Sequence, residues 1–118
     1  MIREYEVALM LSTELPGMNR ELKNYGTLNV FKAVQCFADY TIGLVKENKL
    51  HLVKDCFSLA EKMIREGSGT VKTAVENVYV YSIGVLLDVL PAAGKNIREV
   101  MTPGVREVYD RHLMSNGI

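Results

Sequence analysis

The sequence predicts an all-α protein, an antiparallel bundle of amphipathic helices in a single domain. Three observations carry this. Over residues 50–66, Leu50, Val53, Phe57, Ala60 and Ile64 recur at helical spacing, opposite a face of His51, Lys54, Asp55, Ser58, Glu61, Lys62 and Arg65. Start and stop signals, Pro16-Gly17, Asn29, Gly67 and Pro91, fall between stretches of this kind. The tetrad Tyr40-Thr41-Ile42-Gly43 returns as Tyr81-Ser82-Ile83-Gly84 at an offset of 41 residues. At 118 residues and 48% hydrophobic content, the chain is long enough to bury a core without disulfides or metal.

Residues 2–15 are expected to form a first helix, with Tyr5, Leu9 and Ser12 on one side and Val7, Met10 and Leu11 alongside. Pro16-Gly17 ends it. Residues 18–28 read as loop or a short helix, leading through Asn24, Gly26 and Thr27 to Asn29. The short side chain of Asn29 caps a helix over 30–47 by accepting from a first-turn N–H. Val30, Val34, Phe37 and Leu44 line one apolar row of that helix, and Phe31, Ala38, Ile42 and Val45 the next. Asn48-Lys49 folds the chain back into the 50–66 helix, and Gly67 follows as its C-terminal stop.

Thr70 then caps a third strong helix, 71–90. Lys72, Thr73, Glu76 and Asn77 give its start a wet side, which Val80, Ile83 and Leu87 occupy one turn later. Its second half is therefore expected to be covered all round, by the C-terminal segment or by another molecule. A strand of that length is uncommon, and no turn signal interrupts 70–90. Past Pro91, residues 92–95 read as a loop through Gly94, followed by a helix over 97–101 capped by Asn96. Thr102 caps a last helix, 103–114, with Val105, Val108, Tyr109 and Leu113 facing inward.

Carried at the same offset, Asn29 falls on Thr70, Val30 on Val71, Ala33 on Ala74, Val34 on Val75, Gln35 on Glu76 and Glu47 on Asp88. Two helices share one plan. With an antiparallel helix between them they run parallel, which brings Gly43 and Gly84 to similar height. A helical glycine costs ~1 kcal/mol against alanine, so the pair points to close approach. A period of about 40–47 residues is that of paired-helix repeats.

Charge and composition narrow the function. Fourteen basic residues balance fourteen acidic ones with no block of either sign, so nucleic-acid binding lacks its footprint. The longest apolar run, 78–87, is half a membrane span, and no signal segment is visible; a cytoplasmic protein with no membrane partner is expected. Cys36 and Cys56 then read as free buried thiols. His51 and Asp55 are i, i+4 and suit a base with its orienter, but nothing nucleophilic accompanies them. The cysteines and histidines have no metal-ligand spacing, so no catalytic, cofactor or metal residue is expected. Gly67-Ser68-Gly69-Thr70 opens a helix toward any anion, yet lacks a P-loop lysine and reads as a turn between helices. Six tyrosines without tryptophan leave room for a recognition surface, with Tyr40, Tyr79 and Tyr81 as candidates. Each is alternatively a core ring with its hydroxyl at the edge. Glu47, Glu76 and Asp88 are candidates for an acidic rim.

Phe37-x-x-Tyr40, Leu44-Val45-Lys46-Glu47-Asn48 before a turn, Val53-x-x-x-Phe57-x-x-x-Glu61 before Gly67, and Leu86-Leu87-Asp88 with Leu90 carry a resemblance over residues 29–90. The stretch resembles a small bacterial helical family of uncharacterised function. Its members look like HEAT or armadillo fragments and are similar to immunity proteins of polymorphic toxin systems. The resemblance implies a short α-α repeat and a non-enzymatic protein that occludes one partner protein, with Asp88 matching an acid after paired apolar residues. Two other functions stay open: self-association as a homodimer, and a small-molecule-binding bundle with a polar-lined cavity.

Overall fold

Amphipathic periodicity becomes six helices among the residues that the computed structural model describes, 1–19, 22 and 29–116. They are α1 (Val7–Glu14), α2 (Val30–Lys46), α3 (Leu50–Glu66), α4 (residues 69–89), α5 (Pro91–Val100) and α6 (Pro103–Asn116). Most of the expected 18–28 connection lies outside the described residues.

The first helix is shorter than its pattern implied. Ile2 leaves it to pair with the α3–α4 turn: its N–H donates to the Glu66 carbonyl at 2.7 Å, and Ser68 N–H donates to the Ile2 carbonyl at 2.8 Å. Glu4–Glu6 form a single 3-10 turn before α1. Val7 and Leu11, one i, i+4 pair, are buried, whereas Tyr5 and Leu9 are exposed, so the row expected on their side is not the core row.

Asn29 caps α2 as its side chain predicts, Oδ1 accepting from Lys32 N–H at 2.9 Å. At the far end Lys49 N–H reaches the Leu44 carbonyl at 2.9 Å and Asn48 N–H the Val45 carbonyl at 3.0 Å. This double closure needs a left-handed residue, and Asn48 supplies it at φ 57°. The chain reverses there into α3, which has the bounds its periodicity predicts. Gly67 departs from its expected role: its backbone is extended, not left-handed. What it provides is space, since a Cβ would run into the Met63 carbonyl and lie 2.7 Å from Val71 Cγ1.

The cap of α4 is Ser68 instead of Thr70; its Oγ accepts from Val71 N–H at 3.2 Å and starts the helix two residues sooner than Thr70 would. The middle of α4, Val75–Val80, is π-helical between α-helical Gly69–Ala74 and Tyr81–Val89. Val75, Tyr79, Ile83 and Leu87, all buried, recur every four residues. An α-helix turns in 3.6 residues, so such a row drifts by ~40° a step, and the wider π turn takes up that drift.

Pro91 does not open a loop. Leu90 breaks α4, and Pro91 takes the first helical position of α5, where its missing N–H and fixed φ cost nothing. The expected loop 92–95 is thus helical and the expected 97–101 helix is its second half. Pro103 likewise opens α6. Helices α2 and α4 pack directly on each other and run parallel, from Phe37 against Tyr79 to Lys46 beside the groove that Val89 and Leu90 line; α3 returns antiparallel against both, and α6 packs on α3 and α4. Phe37, Phe57 and Tyr79 fill the centre: Phe37 stacks on Tyr79 at 4.2 Å between ring centroids, and Phe57 meets it edge-on at 6.4 Å.

Candidate protein-interaction face

The last third of α4 is apolar on every side, so a fold that buries it completely would leave none of it bare. Ile83, Leu86 and Leu87 do face the core. Gly84 faces α6, where a Cβ would be 3.7 Å from the Tyr109 ring. The fourth side is uncovered: Tyr81 is 53% exposed, Val85 44% and Val89 70%. These three are i, i+4, i+8 and form one ridge along the helix. Complete coverage of this segment, as expected from its apolarity, is therefore not what the structure has.

Each flank of the ridge is a groove. On the α2 side lies a groove of about 400 Å³ walled by Ile42, Ser82, Leu86, Val89 and Leu90, with Lys46 as its one charged lining residue. On the α6 side Tyr81, Val85 and Asp88 border a smaller notch of about 90 Å³ with Tyr109, His112 and Leu113. Leu113, expected inward, is 46% exposed there. The His112 ring meets Tyr81 edge-on at 6.2 Å. Its Nδ1 is buried without a hydrogen-bond partner. Burial first, and then the Arg111 charge, push its pKa below the usual imidazole range, against the opposing pull of Glu76.

The six predicted contact residues divide between this face and the rest of the molecule. Tyr81 and Asp88 lie on it. Glu47 sits past the end of α2, exposed and paired with Lys49 at 3.1 Å. Glu76 is one turn before the ridge and holds Arg111 of α6 at 3.5 Å. Tyr40 lines a separate cleft of about 480 Å³ with Pro16, Gly17, Leu52, Asp55 and Lys62. Tyr79 is fully buried and cannot meet a partner. Its hydroxyl lies 2.9 Å from Thr41 Oγ1, the buried polar residue of the core among the described residues, and burial drives the phenol pKa well up. Cys56 beside them is pushed to about 11, by burial first.

Sequence reasoning missed Ile42, Lys46, Val85, Val89 and Leu90 as surface residues. It also missed two intramolecular caps. Glu61 of α3 reaches the start of α6, its Oε1 accepting from Gly104 N–H at 2.7 Å and Val105 N–H at 3.2 Å. Thr102, expected to cap that helix, instead donates its hydroxyl to the Phe57 carbonyl at 3.4 Å. The anion that the 67–70 turn was suited to greet is the chain's own Glu4, which accepts from Ser68 Oγ at 3.2 Å. A backbone hydrogen bond, then the Thr70 hydroxyl, hold the Glu4 carboxyl below its ordinary range. Cys36 and Cys56 are both buried and unbridged. Among the described residues no group of three or more His, Cys, Asp or Glu is placed to hold a metal, and no helix is long and apolar enough to cross a membrane.

Fold and face together define an all-α helical domain with an uncovered apolar ridge. The family model described as a domain of unknown function, DUF7674, matches residues 8–115, and the chain belongs to that family. No curated protein and no solved structure matches it.

Proposed function

We propose that this protein is a non-enzymatic protein-binding module that holds its partner on the Tyr81–Val85–Val89 ridge and acts by occlusion, in the manner of an immunity or adaptor protein. The single observation behind this reading is the ridge itself: three large apolar side chains in one row, bare on a helix whose other sides are packed. Contiguous apolar surface of this kind costs solubility and marks association sites. The chemistry of the face favours a partner that brings apolar side chains to the ridge and meets Lys46 on one flank and Asp88 on the other. Tyr81 supplies the aromatic anchor.

The test is capture from the native host by cross-linking through residues beside the ridge, in wild type and in Val89→Asp. One stoichiometric partner, lost in Val89→Asp while the circular dichroism of the variant is unchanged, is the expected result. A partner that binds Val89→Asp as well as wild type refutes this location for the site.

A further inference from the structure

We infer that the ridge is self-complementary and that a second copy of this chain occupies it through a twofold axis running along the helices. The inference rests on the reading of this face as an association surface and names its occupant. Ridge and groove lie side by side on one face: Val85 and Val89 project next to the α2–α4 groove that Ile42 and Leu86 line. A twofold interface presents the same patch from both copies, so it needs a patch that fits itself. Rotation about an axis parallel to α4 lays the ridge of one copy in the groove of the other and, in the same operation, returns the second ridge to the first groove. A twofold across the helices instead sets ridge on ridge.

Charge selects the same arrangement. Asp88 stands on the α6 side of the ridge, and Lys46 on the far wall of the α2 groove at the level of Leu86, Val89 and Leu90. Rotation about the axis along the helices turns the α6 side of one ridge toward the α2 wall of the other copy. Helix direction is preserved, so Asp88 of one copy arrives at the level of Lys46 of the other, and the pair forms twice. Neither side chain has an ion-pair partner within the chain among the described residues. A foreign helix docked in the groove has no such reason to carry an acid at that height. The homodimer is thus the state of the protein when no other partner holds the face.

Sedimentation velocity of the full chain, from micromolar to submillimolar concentration, tests this. Wild type is expected to dimerise. Val85→Asp, at the middle of the ridge and half exposed, raises the dimer dissociation constant roughly a hundredfold, with Val89→Asp as its check at a more exposed position. Lys46→Asp and Asp88→Lys each raise it roughly tenfold, and the double reversal recovers most of the loss, because it restores both pairs with their signs exchanged. A wild type that stays monomeric, a dimer indifferent to Val85→Asp, or reversals that add instead of compensating each overturn the proposal. If wild type is monomeric but Val89→Asp still abolishes capture of a host protein, the second copy fails as occupant and the face stands. If neither association responds to Val89→Asp, the reading of the face fails with it.

Discussion

Thr41 carries a disproportionate share of the core's polar accounting, and two conservative substitutions measure it. Its hydroxyl donates to the Phe37 carbonyl at 3.0 Å, one turn back on α2. That commits its only proton, so at 2.9 Å it is the Tyr79 O–H that donates to Thr41 Oγ1. Tyr79→Phe removes a donor and leaves Thr41 still bonded to Phe37; the loss is that of one neutral hydrogen bond, about 1 kcal/mol. Thr41→Val removes the acceptor and strands a phenolic O–H in a fully buried site. An orphaned buried donor costs about 1–3 kcal/mol, so Thr41→Val is the more damaging of two changes that each delete one hydroxyl. The double variant deletes both hydroxyls, strands neither, and is expected to be less destabilised than the sum by about 1 kcal/mol. Urea unfolding of all four proteins at constant m-value reads the cycle. Tyr79→Phe costing more than Thr41→Val, or strict additivity, refutes the assignment of donor and acceptor.

Other perturbations follow from the same geometry. The Cys56 thiol, raised to about 11 from an ordinary 9.0, loses its proton first in the unfolded chain. Stability is therefore intact below pH 9 and falls between 9 and 11, by about 1.4 kcal/mol per pH unit, and Tyr79 acts in the same direction; urea midpoints across that range, flattened in Cys56→Ala, check it. Gly43→Ala stabilises the fold by up to ~1 kcal/mol because an added Cβ meets nothing within 4 Å, whereas Gly67→Ala destabilises it by about 1–3 kcal/mol as Val71 and the Met63 carbonyl are forced apart; thermal melts separate the two signs. Glu61→Ala uncaps α6 at a cost of about 1–2 kcal/mol, and the Gly104 and Val105 amides should then exchange with solvent faster than those at the middle of α6.

Much of the fold is legible in the sequence because period and punctuation agree. Helix α3 keeps its bounds since its polar and apolar faces are cleanly divided and its turn is marked by Asn48. Legibility fails where one residue type supports two outcomes. Proline at 91 ends one helix and begins another, and only the second effect makes 92–95 helical. Ser68 and Thr70 both cap well by residue type, and it is the Ser68 Oγ that accepts from Val71 N–H. The parallel course of α2 and α4 agrees with the 41-residue echo, but the glycines it matched have different surroundings, Gly43 open and Gly84 against Tyr109.

The interaction face was half legible for a related reason. Apolarity on all sides of the last third of α4 signals that something must cover it, and the sequence carries that signal plainly. Which side the chain covers itself depends on where the π turn rotates the helix. Without that turn, the four-residue row from Val75 to Leu87 drifts off the core, and Tyr79 looks as free as Tyr81. With it, Tyr79 points inward onto Phe37 while Tyr81, two residues on, heads the bare ridge. The same rotation leaves Asp88 on the α6 flank and Val89 above the groove that holds Lys46. A π turn costs hydrogen-bond geometry, and a helix ending one residue out of phase would have hidden Val85 and Val89 and exposed Ile83 and Leu87 instead. Turn and ridge are thus one device: the irregularity that seats Tyr79 in the core also fixes which apolar side chains are left for a partner.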